Sequence, residues 1–472
     1  MNFLIASLAF VIATIWGYFI LKILQLSSYK PKKIIGKIYL FNYLNNDKNL
    51  LKFTKRIIRL ICLTLVLELT FLILFAIFLE KVWIFSIISI IFVVFSPFFT
   101  ILSFYLILPL ESFIKYNFIL KAKRKLKSCP CVKIGITGSF GKTSTKNILY
   151  DILSQKYKVL KTPHSYNTPM GVCKTILDEL DKSYDFFIIE MGARHTGDIE
   201  YLARMTNIDH AILTPVGKVH LETFKTLENI EDEKSKISLP LTYGFMVINA
   251  RSSSNLKIYE KCEKNKFLVC QKGGFAYSEN ITYSSEGSSF DLVIDGAKTS
   301  VKTKLLGKSN IDNIVTASAT AYLLGQELCD IVRGIKSIEQ IPHRLEVIKT
   351  DKLTIIDDSY NSNFEGAKNA LDVLSKFSCR RVVVTCGMVE LGSMQFSFNK
   401  KFGRLIAKSC DIVIIMNKTN KEAIYKGLIE SHFKEENIYF ANTRKEQEEL
   451  LKTILKPKDC VLFENDLPDD YK

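Results

Sequence analysis

Residues Lys133–Leu149 read KIGITGSFGKTSTKNIL, and the rest of the chain is organised around this stretch. It opens on a short apolar strand, Cys131–Ile136, and turns through Gly138 and Gly141 before a helix begins. Such a turn directs successive backbone N–H groups inward and adds the positive end of the following helix. The pattern therefore predicts a nucleotide-phosphate loop, although the strict Walker motif has glycine where this chain has Ile136.

Two side chains of the loop have chemical roles that follow from this reading. Lys142 would reach the outer phosphates, and the Thr143 hydroxyl would ligate Mg²⁺. The residues predicted to bind ATP here are Gly138, Ser139, Gly141, Lys142, Thr143 and Ser144.

The net charge of +16 over 472 residues is unevenly distributed. Residues 1–128 carry 14 lysines and 3 arginines against four acidic residues, so this segment contributes +13 of the net charge of +16. Because the same segment contains long apolar runs, we interpret the charge as a membrane-surface feature and expect no nucleic-acid partner. Eleven scattered cysteines indicate reduced cytosolic thiols.

Three apolar runs, 3–24, 60–79 and 82–110, are predicted membrane spans, since each reaches roughly 20 residues. Basic residues cluster between the first two spans and after the third, so the positive-inside rule predicts an external N-terminus and cytoplasmic catalytic domains. Pro97 and Pro109 leave the third span open to a kink, a tilt or a pair of re-entrant half-helices. Glu68 lies mid-span, either as a functional acid or as a structural hydrogen-bonding group.

Apolar strands and helices alternate after the membrane segment, as in α/β folds. Continuous apolar runs at 185–190, 210–214 and 245–250 predict buried parallel strands, and short alternating segments over 267–306 predict a small antiparallel insertion. A second α/β series begins near His343, with strands predicted at 353–357, 381–386, 411–416 and 460–464.

The predicted fold class is therefore α/β, preceded by three transmembrane helices. We expect a membrane domain (1–128), a doubly wound central ATPase domain with the P-loop (129–341) and a Rossmann-like α/β ligase domain (342–472).

Three further residues attract attention downstream of the loop. Glu190 ends the apolar strand DFFIIE, where a carboxylate would offer a hard ligand to a divalent ion. His220 follows another strand in LTPVGKVHLETF, and Lys234 lies in IEDEKSKI. Taken singly, the histidine is interpreted as a satisfied surface or core residue and the lysine as a solvated residue on the surface of a helix.

Taken together, these segments resemble the Mur ligase family, the ATP-dependent amide ligases of peptidoglycan synthesis, and within it the branch that adds D-alanyl-D-alanine to UDP-MurNAc-tripeptide. The resemblance covers roughly residues 130–465. The similar segments are GITGSFGKTSTK (Gly135–Lys146), HSYNTPMGV (His164–Val172), EMGARHTGDIEYL (Glu190–Leu202), TPVGKVHLETF (Thr214–Phe224), GKSNIDNIVTASA (Gly307–Ala319), PHRLEVI (Pro342–Ile348), IIDDSYNSNFEGAKNAL (Ile355–Leu371) and GMVELGSMQ (Gly387–Gln395).

The resemblance implies a role for each matching residue. Thr143 would hold one Mg²⁺, and Glu190 and His220 a second. Lys142 would contact the β- and γ-phosphates, and Lys234 matches a lysine that is carbamylated in the family. The remaining implied contacts are Asn310 and Asn313 near adenine, Arg344 on the γ-phosphate, Asp358 near the ribose, and Asn167 and Asn361 at the substrate.

This set implies a membrane-anchored ATP-dependent carboxylate–amine ligase that works through an acyl phosphate. Its partners would be membrane lipids, an amine donor and a carboxylate-bearing envelope precursor, either UDP-linked or lipid-linked, at a bacterial cell membrane. Rival readings are a poly-γ-glutamate-type synthetase, a membrane-coupled regulatory or transport ATPase, and an inactive scaffold.

Three departures from the family pattern bear on the substrate. The family's N-terminal UDP-sugar domain has no counterpart, and its C-terminal Lys-Gly-Ser-Arg stretch is replaced by FENDLPDDY (Phe463–Tyr471). Asn399 stands where the family often has histidine, and Pro215 and Lys218 interrupt the usual strand-end motif. The ATP-activating segments therefore match better than the substrate-recognising ends.

Overall fold

The computed structural model describes residues 2–26, 29, 51–78, 81–284, 287–360, 363–416 and 418–466. The contacts divide the chain into two compact units, Met1–Phe118 and Ile119–Lys472.

The described residues of the first unit form two apolar helices, α1 (Asn2–Leu26) and α2 (Lys55–Phe78), and most of a third, α3 (Val82–Lys127). By length and composition, each is long and apolar enough to cross a membrane. They lie at the three predicted spans with somewhat different ends.

The third helix differs most from expectation. It is one continuous helix of 46 residues, which runs beyond the predicted span of 82–110, and the alternative of two half-helices is therefore wrong. A proline removes one backbone hydrogen bond, and at Pro97 the carbonyl that loses its donor is that of Val93. The Ser96 hydroxyl donates to that carbonyl at 3.0 Å instead, which lets the helix continue.

Glu68 faces the interior of this unit and is fully buried. Among the described residues, neither of its carboxylate oxygens receives a hydrogen bond. Near the opposite end of α2, Arg59 and Glu111 form an ion pair at 2.6 Å that joins α2 to α3. Both interpretations of Glu68 stay open.

The second unit contains two mixed β-sheets, which confirms the predicted α/β class. The first has nine strands in the order β2-β3-β1-β4-β5-β6-β7-β8-β9. Its strands are β1 (Val132–Thr137), β2 (Val159–Lys161), β3 (Phe186–Glu190), β4 (His210–Leu213), β5 (Phe245–Asn249), β6 (Asn265–Val269), β7 (Ala276–Ser284), β8 (Gly287–Ile294) and β9 (Ala297–Thr303). We call the part of the chain built on this sheet the central domain.

Strands β1 to β6 are parallel, and the three strands predicted from apolar runs appear as β3, β4 and β5. Their near-complete burial is the reason that those runs are continuous. The predicted antiparallel segment is present as β7 to β9, but it extends the same sheet and does not form a separate element.

The second sheet has six strands in the order β10-β11-β15-β12-β13-β14. Its strands are β10 (Glu346–Lys349), β11 (Thr354–Tyr360), β12 (Arg381–Thr385), β13 (Ile412–Met416), β14 (Ile438–Ala441) and β15 (Cys460–Asp466). Only β10 is antiparallel to its neighbour among these described strands. We call this part of the chain the C-terminal domain.

Helices follow most of the parallel strands in both domains. They are α4 (Lys142–Leu153), α5 (Pro169–Asp178), α6 (Asp198–Thr206), α7 (Leu221–Phe224), α8 (Leu227–Ser235), α9 (Ser253–Lys261), α10 (Lys308–Leu323), α11 (Leu328–Ser337), α12 (Phe364–Leu374), α13 (Gln395–Ser409), α14 (Lys421–Ile429) and α15 (Arg444–Ile454).

Strand order determines where chemistry can occur in the central domain. Strand β1 lies between β3 and β4, so the carboxyl ends of these three parallel strands meet at one edge. Ligand sites of open α/β sheets lie at such an edge. The loop after β1, Glu190 at the end of β3 and the segment after β4 are therefore brought together.

Candidate active site

The loop after β1 has a backbone that requires glycine at two positions. Gly138 has φ 148°, and a Cβ there would lie 2.0 Å from the Thr214 Oγ1 atom. Gly141 has φ 75°, and a Cβ there would lie 2.5 Å from the Asn313 Oδ1 atom. Any side chain at these two positions would clash with a neighbour and strain the backbone. Because both positions are glycine, the backbone of the loop can approach a ligand closely.

Helix α4 begins directly after this loop, and no side chain caps it within the described residues. Its first backbone N–H groups therefore point away from the helix without an intrahelical acceptor, as an anion site requires. The Lys142 ammonium donates to the carbonyls of Gly138 at 2.9 Å and Ser139 at 3.2 Å. The Ser139 N–H donates to the Pro215 carbonyl at 2.9 Å, so Pro215 supports the loop.

Glu190 ends β3 as a buried carboxylate that is 1% exposed. Its Oε1 atom accepts a hydrogen bond from Asn167 at 3.1 Å, and its Oε2 atom lies 3.1 Å from the Lys146 ammonium. Lys146 is also 1% exposed and donates to the His164 carbonyl. The predicted substrate residue Asn167 and the predicted metal ligand Glu190 are therefore in contact.

Lys234 lies in α8 and is 3% exposed, which is unusual for a lysine. Burial, followed by the charge of Lys142, lowers its pKa to about 7, while Glu233 and Asp198 act in the opposite direction. The interpretation of Lys234 as a solvated surface residue is therefore wrong. Glu233 instead accepts two backbone hydrogen bonds, from Gly197 and Ile199, both at 2.7 Å.

Four cations influence one another around this centre. Burial lowers the pKa of Lys142, and the Glu190 carboxylate partly offsets this while Arg344 adds to it. The pKa of Lys146 is lowered in the same way by burial, with Glu190 again opposing and Arg344 contributing. The excess of positive charge in a buried space fits a polyanion such as a triphosphate.

His220 follows β4 with a left-handed backbone, φ 51°. Its Nδ1 atom lies 2.5 Å from the Oε2 atom of Glu390, which belongs to the C-terminal domain. This hydrogen bond holds the pKa of Glu390 below its ordinary value despite partial burial. The pair connects the two domains directly at the site.

Arg344 and Asp358 lie where the chain passes into the C-terminal domain. His343 and Leu345, on either side of Arg344, have φ values of 59° and 56°, conformations that L-residues rarely adopt. Burial raises the pKa of Asp358 to about 7, and Arg344 and the Leu345 N–H, which donates to Asp358 at 3.1 Å, act against this rise. Arg344 and Asp358 thus interact electrostatically, and the residues on either side of Arg344 have strained backbones.

The predicted adenine residues have local structural partners. Asn313 accepts a hydrogen bond from the Thr145 hydroxyl at 3.2 Å and packs against Gly141, so it supports the phosphate loop. Asn310 donates to the Leu306 carbonyl at 2.9 Å. Thr143 is half-buried and Ser144 is buried in the first turn of α4, whereas Asn361 lies outside the described residues.

The donor set fits a divalent cation. The buried Glu190 Oε2 atom has the Lys146 ammonium at 3.1 Å and accepts no further hydrogen bond among the described residues, so it keeps lone pairs for a ligand. Carboxylate and hydroxyl oxygens are the ligands that Mg²⁺ prefers. Thr143 is the residue that would hold one metal ion, and Glu190 and His220 are those that would hold a second.

Two family models match this chain in sequence. The Mur ligase middle domain covers residues 136–321, and the Mur ligase glutamate ligase domain covers residues 343–464. The chain belongs to the Mur ligase family. This confirms the predicted resemblance to the family. It also confirms, at the level of the family, the predicted class of ATP-dependent amide ligase.

Relatives of this Mur ligase include two enzymes named UDP-N-acetylmuramoyl-tripeptide--D-alanyl-D-alanine ligase. The Escherichia coli enzyme is 30% identical over 311 residues, which is 64% of this chain and 68% of the relative. The Haemophilus influenzae enzyme is 29% identical over 307 residues, 64% of this chain and 66% of the relative. The chain thus spans about two thirds of the length of these relatives.

A solved structure gives the same result for the fold. The MurF ligase of Thermotoga maritima in complex with ADP superposes with a TM-score of 0.68 and 25% identity, over 75% of this chain and 80% of that chain.

Two residues of this Mur ligase site were not predicted. Lys146 stands one helical turn after Lys142 in GKTSTK, and its spacing on α4 offered a signal, since residues four apart share a helix face. Glu390 lies 170 residues from His220, and no spacing rule connects them.

Proposed function

We propose that this Mur ligase is a membrane-anchored, ATP-dependent carboxylate–amine ligase that forms an amide bond in a peptidoglycan precursor. The observation that carries the proposal is a cluster of charges at the glycine-bounded loop. The Glu190 carboxylate interacts with Lys142 and Lys146, and Arg344 acts on both of these lysines. Lys234 is close enough to Lys142 for the two charges to interact. Such an arrangement suits the transfer of a phosphoryl group to a carboxylate.

In the first step, an oxygen of the acceptor carboxylate attacks the γ-phosphorus of ATP, and the bond to the bridging oxygen breaks to release ADP. The loop N–H groups and Lys142 hold the phosphates, and Arg344 adds charge to the transferring group. Bound Mg²⁺, held by Thr143, Glu190 and His220, would neutralise charge on the phosphates and on the acceptor carboxylate.

In the second step, the amine nitrogen attacks the carbonyl carbon of the acyl phosphate, and phosphate leaves as the C–N bond forms and the amine loses its proton. The acyl phosphate must be kept from water until the amine arrives. The His220–Glu390 contact brings a residue of the C-terminal domain to the site, which supports the proposal that this domain covers the site and excludes water.

The substrates are inferred from the relatives. We infer a UDP-MurNAc-tripeptide as the carboxylate and D-alanyl-D-alanine as the amine, because the relatives are named for that reaction. A lipid-linked form of the acceptor is the variant that a membrane anchor would favour.

A second magnesium ion and a carbamylated Lys234 belong to the same proposal. The buried amine of Lys234, with its pKa of about 7, is partly neutral near physiological pH, and a neutral amine is the form that reacts with CO₂. The resulting carbamate would be an anion with oxygen ligands, which suits a hard cation.

The proposed location is a bacterial cell membrane, with the catalytic domains in the cytoplasm and the N-terminus outside. The three apolar helices and the basic residues at their predicted inner ends support this proposal.

An assay of ADP release by the full chain in detergent or nanodiscs tests the function. ATP and Mg²⁺ are supplied with UDP-MurNAc-tripeptide or its lipid-linked counterpart, each with and without D-alanyl-D-alanine, and the product is weighed by mass spectrometry. We expect ADP release that needs both substrates and a product heavier by one dipeptide. Repeated addition of one amino acid would indicate the polymer synthetase. ADP release that does not depend on either substrate would indicate an ATPase.

A further inference from the structure

The hydrogen bond between His220 and Glu390 joins a predicted metal ligand of the central domain to a carboxylate of the C-terminal domain. The Glu390 Oε2 atom lies 2.5 Å from the Nδ1 atom of His220. A carboxylate can only accept, so Nδ1 carries the hydrogen, and in the neutral imidazole Nε2 then keeps its lone pair. A histidine that ligates a metal through Nε2 is oriented in the same way.

Both residues are held in an uncommon backbone conformation. His220 has φ 51° and Glu390 has φ 63°, and neither is glycine. Strain of this kind persists only where the surroundings impose it, and it clusters at functional sites. The two residues meet at their side chains, so both uncommon backbone conformations lie at one contact between the domains.

Three buried asparagines hold the loop that carries Glu390, Gly387–Gly392, through hydrogen bonds to its backbone and to the residue before it. Asn399 accepts from the Met388 N–H at 2.8 Å and donates to the Met388 carbonyl at 2.9 Å. Asn420 donates to the Cys386 carbonyl at 2.9 Å, and Asn465 donates to the Gly387 carbonyl. Satisfied buried networks of this kind rigidify the segment they hold, so the loop presents Glu390 in one place.

We propose that Glu390 is a positioning residue for His220, so that the metal site is complete only when the C-terminal domain is docked on the central domain. This inference rests on the proposed function, because it requires His220 to be a metal ligand. It couples domain docking to metal binding: the open enzyme holds the metal weakly, and the docked enzyme holds it firmly.

Metal binding to the full chain tests the inference without relying on turnover. Mn²⁺ is titrated into the purified protein with a non-hydrolysable ATP analogue, and free Mn²⁺ is followed by electron paramagnetic resonance. Loss of an outer carboxylate partner weakens metal binding about 10–100-fold, and we expect a loss of this size at the weaker Mn²⁺ site for Glu390→Ala. Glu390→Gln keeps an acceptor oxygen for His220 and should lose less.

Two further variants make the result specific. Glu228→Gln removes an exposed carboxylate from the cavity of about 600 Å³ beside the pair and should bind Mn²⁺ as the unaltered chain does. His220→Ala should abolish the weaker site, and adding Glu390→Ala to it should change nothing more, because Glu390 acts through His220.

The outcomes separate the inference from the function on which it depends. Unchanged Mn²⁺ affinity in folded Glu390→Ala and Glu390→Gln would show the pair to be only a contact between domains and would overturn the inference alone. Additive losses in the double variant would overturn it too. If the unaltered chain bound no Mn²⁺ with the nucleotide analogue, the proposed function would fail together with the inference.

Discussion

Replacement of Lys234 by methionine should stabilise the protein and inactivate it. The ammonium is 3% exposed, and burial lowers its pKa from 10.5 to about 7. At 1.36 kcal/mol for each pKa unit, the buried charge costs roughly 4 kcal/mol of folding free energy at pH 7. Methionine has a similar length and no charge, so Lys234→Met should recover much of that cost.

The sign of the pH dependence follows from the direction of this shift. The folded state binds Lys234's proton less tightly than the unfolded state does, so stability rises as the pH increases from about 7 to about 10.5. The advantage of Lys234→Met is therefore full at and below pH 7 and fades toward pH 10.5. Carbamylation would mask the effect, so the comparison needs buffers free of CO₂.

Urea denaturation of the full chain, read by pulse proteolysis, measures the difference. A change of about 4 kcal/mol corresponds to a midpoint shift of roughly 1–4 M, given m-values of about 1–3 kcal/mol/M. The matched control is Lys236→Met, two residues away: its side chain is more exposed and pairs with Asp232 at 3.0 Å, so its loss should cost at most about 1 kcal/mol. A lower midpoint for Lys234→Met than for the unaltered chain would refute the reasoning, because it would mean that the charge is stabilised where it lies.

The remaining predictions concern the phosphate loop, the Lys146–Glu190 ion pair, the activity of Lys234 variants and the membrane unit. Lys142→Ala should abolish ADP release while circular dichroism shows an intact fold; normal release would refute the phosphate-loop assignment. Lys146→Met should lower the unfolding free energy by about 3–5 kcal/mol, because it leaves the Glu190 carboxylate buried without its partner, and adding Glu190→Gln should restore most of it; a change below 1 kcal/mol would argue against the pair. Lys234→Ala should lose most ligase activity and regain part of it in acetate, and near-normal activity would remove Lys234 from the site. Reporter fusions at residues 1 and 128 should report opposite sides of a membrane, and identical readings would contradict three spans.

Much of the fold follows from local chemistry. Continuous apolar runs, as in Phe186–Glu190, belong to parallel strands that are buried on both faces. Such runs can be recognised in the sequence without coordinates. The third apolar helix could not be delimited in this way, because hydropathy ends near residue 110 while helix formation continues to Lys127. A serine hydroxyl that replaces the donor lost at Pro97 is likewise invisible in a hydropathy profile.

The sequence by itself determined the phosphate loop, the α/β class and the family, because these depend on residues that are close together along the chain. Gly138 and Gly141 are needed for backbone reasons that operate within a few residues. Only the tertiary structure decided that Lys146 neutralises Glu190, that Lys234 is buried and that Glu390 holds His220. Those facts depend on strand order and domain docking, which bring together side chains up to 170 residues apart. Burial, which residue type alone does not reveal, then shifts the pKa of the charged groups that meet there.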